Sequence, residues 1–243
     1  MSYDSFAAFY DKLQIADYEK IGAYYRKRLK ENKSDVNGNI LLDLACGTGR
    51  LSRYFSGHGY DVIGADISPE MLSEAVKKPH ENIQYLCQDM TRLDLYGTID
   101  CCICALDGIN HLPDLKAVKK AFSRVSLFMN KGGVFAFDVN TLYKHKKILS
   151  GNTFVYDMEE LYCVWRNSAC AHGKIDITLD IFAREGNAWQ RYNENFSERA
   201  YRISEIMTAL ESADFGEIRV YDWLSDNHAG EESEKAVFTA IKL

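Results

Sequence analysis

In the stretch ILLDLACGTGRLSRYF, Ile40 to Phe55, four residues stand at alternate positions between an apolar run and an amphipathic one: Asp43, Ala45, Gly47 and Gly49. Small residues there let backbone approach a ligand closely, and a helix starting near Arg50 favours a negative group at its N-terminus. A dinucleotide fingerprint, G-x-G-x-x-G, needs a third glycine for close helix–strand packing. Counted from Gly47 that place is Ser52, and counted from Ala45 it is Arg50, with a Cβ already at the first place. Neither register fits. The pattern that does fit is D-x-A-x-G-x-G, with Asp43 before the turn, where a carboxylate meets a cationic ammonium better than a diphosphate. Metal chemistry is not expected: no C-x-x-C pair occurs, and adjacent Cys101 and Cys102 would point to opposite faces of a strand. The seven cysteines read as reduced core thiols, which places the protein in the cytoplasm.

The elements that must position this turn are legible as an alternation. Short apolar runs, NILLDLA, YDVIGADI, NIQYLCQD, IDCCICAL and GGVFAFDV, have the length of buried parallel strands. Between them GRLSRYFSGHG, SPEMLSEAVKK and DLKAVKKAFSRVSLFMN carry helical spacing, the last with Leu115, Val118, Phe122 and Val125 on one stripe. Such alternation predicts an α/β fold with a doubly wound, mostly parallel seven-stranded sheet. The spacing predicts a helical cap over residues 1–38, with two aromatic-rich helices between Tyr3 and Lys30 packed on the rim of the sheet. From Asn152 to Tyr201 polar and apolar residues alternate in short segments, which reads as a small antiparallel sheet inserted after the fifth strand. A final helix, with Ser204 as its N-cap, and two closing strands, EIRVYDWL and EKAVFTAIKL, return the chain to the main sheet as an antiparallel hairpin. The predicted units are therefore a core over 39–140 and 201–243 and a lid over 141–200.

With the turn placed at the end of the first strand, the sequence resembles the class I S-adenosylmethionine-dependent methyltransferases, whose first motif reads D-x-G/A-x-G-x-G. Three further segments resemble that family's motifs in order: DVIGADISPEML, YLCQDMTRLDL and CCICALDGINHL. The resemblance implies S-adenosylmethionine as cofactor and S-adenosylhomocysteine as product. It implies that Asp66 accepts from both ribose hydroxyls, as a carboxylate can, that Asp89 accepts from the adenine amino group, and that Met90 flanks the ring. Ala45, Cys46, Ile67, Met71 and Leu106 fall on the same segments and are expected along the cofactor. FYDKLQIADYEK resembles the opening of methyltransferases that act on small amines and amino sugars. By that resemblance Tyr10 and Tyr18 close over the methionyl end, although both would equally serve to pack an amphipathic helix.

Methyl transfer needs an aligned nucleophile in a dry cavity, and an amine must arrive without its proton. ALDGINHL offers Asp107, Asn110 and His111, of which an imidazole is the side chain suited to accept a proton near neutrality. His111 is accordingly the candidate catalytic residue. Tyr156, Tyr162, Trp165, Trp189, Tyr192 and Phe196 are candidate pocket walls or, alternatively, core for the small sheet. Between Asn152 and Glu198 eight acids against four bases leave −4, and the whole chain carries −6. That balance favours a neutral or cationic small-molecule acceptor, nitrogen before oxygen, over nucleic acid or a membrane surface. Modification of a protein or tRNA and cofactor binding without turnover are the alternative readings.

Overall fold

A computed structural model of the chain describes residues 6–14, 16–32, 39–78 and 81–243. Five parallel strands, β1 (Ile40–Leu44), β2 (Asp61–Asp66), β3 (Ile83–Cys87), β4 (Ile99–Cys104) and β5 (Met129–Asn140), form the predicted sheet. Two further strands, β10 (Phe215–Asp222) and β11 (Lys235–Lys242), complete it in the order β10-β11-β5-β4-β1-β2-β3. β11 runs antiparallel to both β5 and β10. Strand order reverses between β1 and β4, and in open α/β sheets the crevice at the carboxyl ends of such strands takes the ligand.

All six residues of β4 are buried, because helices cover both faces. On one face Cys102, Phe135, Phe137 and Phe238 pack with Phe122 of α5 (Leu115–Phe128) and Ile206 of α6 (Ile203–Glu211). On the other, Leu41, Cys101 and Ile103 pack with α2 (Tyr18–Asn32) and α3 (Arg50–Ser56). Cys101 and Cys102 thus point to opposite faces, as their adjacency in a strand dictates. Ser68 caps α4 (Pro69–Val76), its Oγ accepting the Met71 N–H at 3.1 Å, with Pro69 preset for the first turn.

A second sheet, in the order β6-β7-β8-β9, consists of β6 (Thr153–Met158), β7 (Leu161–Asn167), β8 (Lys174–Glu185) and β9 (Ala188–Arg199). Along β8, Ile175, Ile177, Leu179 and Ile181 alternate inward and are buried, while Asp176, Thr178 and Asp180 belong to the opposite face. This apolar face must be covered, and α1 (Ala7–Leu13) covers it: the Phe6 ring stacks on Phe196 and Phe9 meets Tyr192 with centroids 5.0 Å apart.

That packing corrects the expectation of two helices on the sheet's rim. α1 lies under the second sheet, and α2 lies across a face of the first because its Ile21, Tyr25 and Leu29 form a buried stripe there. Tyr3, where the first helix was expected to begin, lies outside the described residues. Ser204 is likewise not a cap: α6 starts at Ile203, the extended residue before it is Arg202, and the Glu205 carboxylate three positions on accepts the Arg202 N–H at 2.8 Å. No helix among the described residues is long and apolar enough to cross a membrane.

Candidate active site

The turn after β1 is left-handed at Ala45, Gly47 and Gly49, with φ of 57°, 53° and 71°. Gly47 faces open space, since a Cβ built there meets nothing within 4 Å. Its N–H donates to Asp66 Oδ2 at 2.8 Å, while Asp66 Oδ1 accepts from the Ser68 N–H at 2.9 Å. Asp66 therefore ties the end of β2 to the glycine turn, and burial raises its pKa against the pull of these amides. Gly49 has a different task. Its missing Cβ would lie 2.2 Å from Tyr85 Oη, so it makes room for that ring and stands off the cavity wall.

Asp43 is 2% exposed and accepts from Ser52 Oγ at 2.6 Å. Burial pushes its carboxyl up to about 7, Ser52 opposing and the Asp66 charge adding. A cationic ammonium beside it would hold it ionised, which suits the role expected of it.

Asp43, Ala45, Cys46, Gly47 and Asp66 open onto one cavity of about 790 Å³. Ile67, Met71, Asp89 and Met90 line one end of it; Asp89 Oδ1 accepts from the Thr91 N–H at 2.8 Å. Tyr10 and Tyr18 line it near the turn, together with Arg50, whose guanidinium lies 4.2 Å over the Tyr18 ring. Tyr18 Oη is buried without a hydrogen-bond partner among the described residues. Burial, with the Asp11 charge, pushes that phenol up to about 12 although Arg50 opposes. An orphaned phenol beside a guanidinium is an arrangement that a carboxylate ligand would complete.

Beyond β4 the chain turns through Leu106 and Asp107, both left-handed, with φ of 59° and 62°. The strain is held by Asp138 of β5, whose carboxylate accepts the N–H of Leu106 at 2.7 Å and of Asp107 at 3.0 Å, and the Tyr25 hydroxyl at 2.7 Å. Lys235 of β11 reaches both acids, 2.8 Å from Asp107 Oδ1 and 3.1 Å from Asp138 Oδ2. Burial alone would raise the Asp107 pKa; the ammonium groups of Lys235 and Lys144 outweigh it and hold the carboxyl well below the usual range. Lys235 is held well above its ordinary value by the same two acids, against burial. Asn140 Nδ2 joins Asp107 at 2.9 Å to Glu198 of β9 at 3.1 Å, and Asn140 Oδ1 accepts from Lys144 Nζ at 3.0 Å.

His111 lines this end of the cavity with its ring 5.6 Å from Phe196, and Leu106 lines it too. Of the candidate wall aromatics, Tyr156, Trp165 and Phe196 face the cavity with Phe154, whereas Trp189 and Tyr162 belong to the opposite, exposed face of the small sheet. Tyr192 packs on Phe9 and bonds to Glu185. Sequence reasoning missed Arg50, Asp138, Lys144, Glu198 and Lys235. Arg50 carried a signal, since a cation in the first turn opposes the helix dipole and needs another reason to be there. The residues present fit S-adenosylmethionine: an open-faced glycine, carboxylates for hydroxyl and ammonium groups, and the unpartnered phenol beside Arg50.

A family model for the methyltransferase domain matches residues 41–133. The candidate methyltransferase YqeM of Bacillus subtilis (strain 168) is 30% identical over 248 residues, covering 100% of this chain and 98% of that one. A crystal structure of an S-adenosylmethionine-dependent methyltransferase from Clostridium acetobutylicum ATCC 824 superposes with a TM-score of 0.87 at 31% identity, covering 99% of this chain and 98% of that chain. The sugar N-methyltransferase KedS8 from Streptoalloteichus sp ATCC 53650 shares the fold, with a TM-score of 0.80 at 19% identity over 98% of this chain and 93% of its own. The chain belongs to the S-adenosylmethionine-dependent methyltransferases.

Proposed function

We propose that the protein methylates a nitrogen atom of a small-molecule acceptor. The observation that carries this reading is the continuity of one cavity from the Asp66–Gly47 turn to a chamber walled by Phe154, Tyr156, Trp165 and Phe196, with Glu198 buried among its polar groups. At about 790 Å³ it has the size of small-molecule sites, roughly 300–1,000 Å³. Aromatic faces beside a carboxylate suit an amine in its cationic form.

In this reading residues 39–140 and 201–243 hold the cofactor and residues 141–200 form the lid over the acceptor. Asp66 takes the ribose hydroxyls, Asp89 and Met90 the adenine, and Asp43, Tyr10, Tyr18 and Arg50 the methionyl ammonium and carboxylate. S-adenosylmethionine supplies an activated methyl. The chain's own contribution is alignment and exclusion of water, with His111 meeting the acceptor at the methyl end. The test is transfer of label from methyl-labelled S-adenosylmethionine into a cell extract separated into metabolite, protein and RNA fractions, with Asp66→Ala as control. Label confined to metabolites and lost in the control is expected. Label in protein or RNA, or none at all while the cofactor still binds, overturns the reading.

A further inference from the structure

A proton must leave an ammonium before its nitrogen can attack, and where it goes bears on a buried pair of side chains of which one, Glu198, lines the cavity. His145 is completely buried in the turn 144–149 behind the cavity wall. Its Nδ1 lies 2.9 Å from the Gly173 carbonyl oxygen. A carbonyl only accepts, so this contact assigns the imidazole proton to Nδ1 and leaves a lone pair on Nε2. Nε2 has no hydrogen-bond partner among the described residues, and 3.6 Å from it stands Oε2 of Glu198. Glu198 is 4% exposed, lines the cavity, and accepts from Asn140 Nδ2. With the ring proton on Nδ1, the Nε2 lone pair is turned toward the Glu198 carboxylate in a buried wall. Such an arrangement gains most from acquiring one proton, which turns an unfavourable contact into a hydrogen bond.

We propose that Glu198, with His145 positioned behind it, accepts the proton of the methyl acceptor, an inference that rests on the nitrogen reading above. The protonated amine donates to Glu198, and its proton settles between Oε2 and His145 Nε2. The freed nitrogen lone pair then forms the bond to the methyl carbon as the carbon–sulfur bond breaks, sulfur keeping that electron pair and becoming a neutral thioether. The product leaves as the methylated ammonium, and the proton held by the pair returns to water once the chamber opens. Asn140 joins Glu198 to two further charged groups, Lys144 and Asp107, with Lys235 and Glu234 also near Lys144 and Arg199 donating to the His172 carbonyl next to Gly173. Burial and the Lys235 charge lower the pKa of Lys144, against the pull of Asp107 and Glu198. His111 lines the same cavity with its ring packed against Phe196.

The experiment compares wild type with Glu198→Gln, His145→Asn and His111→Asn. Gln keeps the shape and the bond from Asn140 but takes no proton; Asn at 145 retains a donor toward Gly173. The readout is the initial rate of label transfer from saturating methyl-labelled S-adenosylmethionine into the amine-bearing metabolite fraction of a cell extract, from pH 7 to 10. Affinity for S-adenosylhomocysteine is measured alongside. Glu198→Gln is expected to lose roughly 100-fold or more at pH 7. It should recover about tenfold per pH unit as the amine arrives already deprotonated, with S-adenosylhomocysteine binding unchanged. His145→Asn should show a smaller loss with the same recovery. A Glu198→Gln rate within twofold of wild type, a loss that does not change with pH, or pH-rescued loss in His111→Asn instead overturns the proposal. Absence of labelled amine with wild type is a separate result, which removes the nitrogen reading itself before any variant is compared.

Discussion

Replacing Lys235 by Met tests how the end of the fourth strand is held. The Lys235 ammonium sits 2.8 Å from Asp107 and 3.1 Å from Asp138, with side-chain exposures of 13%, 19% and 0%. Met fills similar volume and leaves the buried Asp138 and the half-buried Asp107 without their shared cation. Removing one partner of a buried ion pair costs about 3–5 kcal/mol, because the remaining charge loses its compensation. For a chain of this size each kcal/mol lowers Tm by about 2–4 °C, so the fall should be on the order of 10 °C. The pH dependence has a definite sign. The Asp107 pKa is depressed in the folded protein, so its stabilisation is present above the ordinary carboxylate value and is lost as pH falls through the depressed one. The Lys235 pKa is raised, so its contribution is complete below 10.5 and disappears only on the far alkaline side. Wild type should therefore lose stability on acidification below about pH 4, whereas Lys235→Met should lose less there, since protonation relieves its carboxylate repulsion. Thermal and urea unfolding at pH 7 and at about pH 3 give the comparison, with Lys235→Met/Asp107→Asn as second variant. A single-variant loss below about 1 kcal/mol, or a double variant no more stable than the single, would refute the reasoning.

Other consequences are testable in the same way. Gly49→Ala forces a Cβ to within 2.2 Å of Tyr85 Oη at a φ of 71°, so it should destabilise by more than the roughly 1–2 kcal/mol of a left-handed alanine, and Tyr85→Phe should return part of the loss. Because burial raises the Asp43 pKa to about 7 from 3.8, the folded protein holds a proton that the unfolded chain has released. Stability of the cofactor-free protein should therefore fall as pH rises through that window, by at most about 1.4 kcal/mol per unit, and Asp43→Asn should flatten the slope. Over the same range calorimetric affinity for S-adenosylhomocysteine should rise with pH in wild type and stay level in Asp43→Asn. Trp165→Ala should raise the acceptor KM by roughly 3–30-fold through loss of a cation–π wall while leaving S-adenosylhomocysteine affinity unchanged.

What was legible in the sequence was local. Left-handed glycine turns, the acids that close strands, and the opposed faces of Cys101 and Cys102 follow from residue types a few positions apart. That is why the meeting of Asp43, Gly47 and Asp66 on one cavity was foreseeable. The end of the cavity beyond β4 is assembled by long-range pairs: Lys235 meets Asp107 across 128 residues, and Asn140 meets Glu198 across 58. Nothing in the local pattern of a lysine opening a strand, or of a glutamate near the end of one, announces such a partner. The placement of α1 under the second sheet was hidden for the same reason, since an amphipathic helix specifies that it needs a cover without specifying which sheet supplies it.

The most direct test of nitrogen methylation is the chemical shift of the transferred carbon. Wild-type protein is incubated with S-adenosylmethionine carrying a ¹³C methyl group and a small-molecule extract, and the new methyl resonances are read by proton–carbon correlation. Methyl signals in the N-methyl region that are absent with Asp66→Ala are the predicted result. New signals confined to the O-methyl region, or identical spectra from wild type and Asp66→Ala, would contradict it.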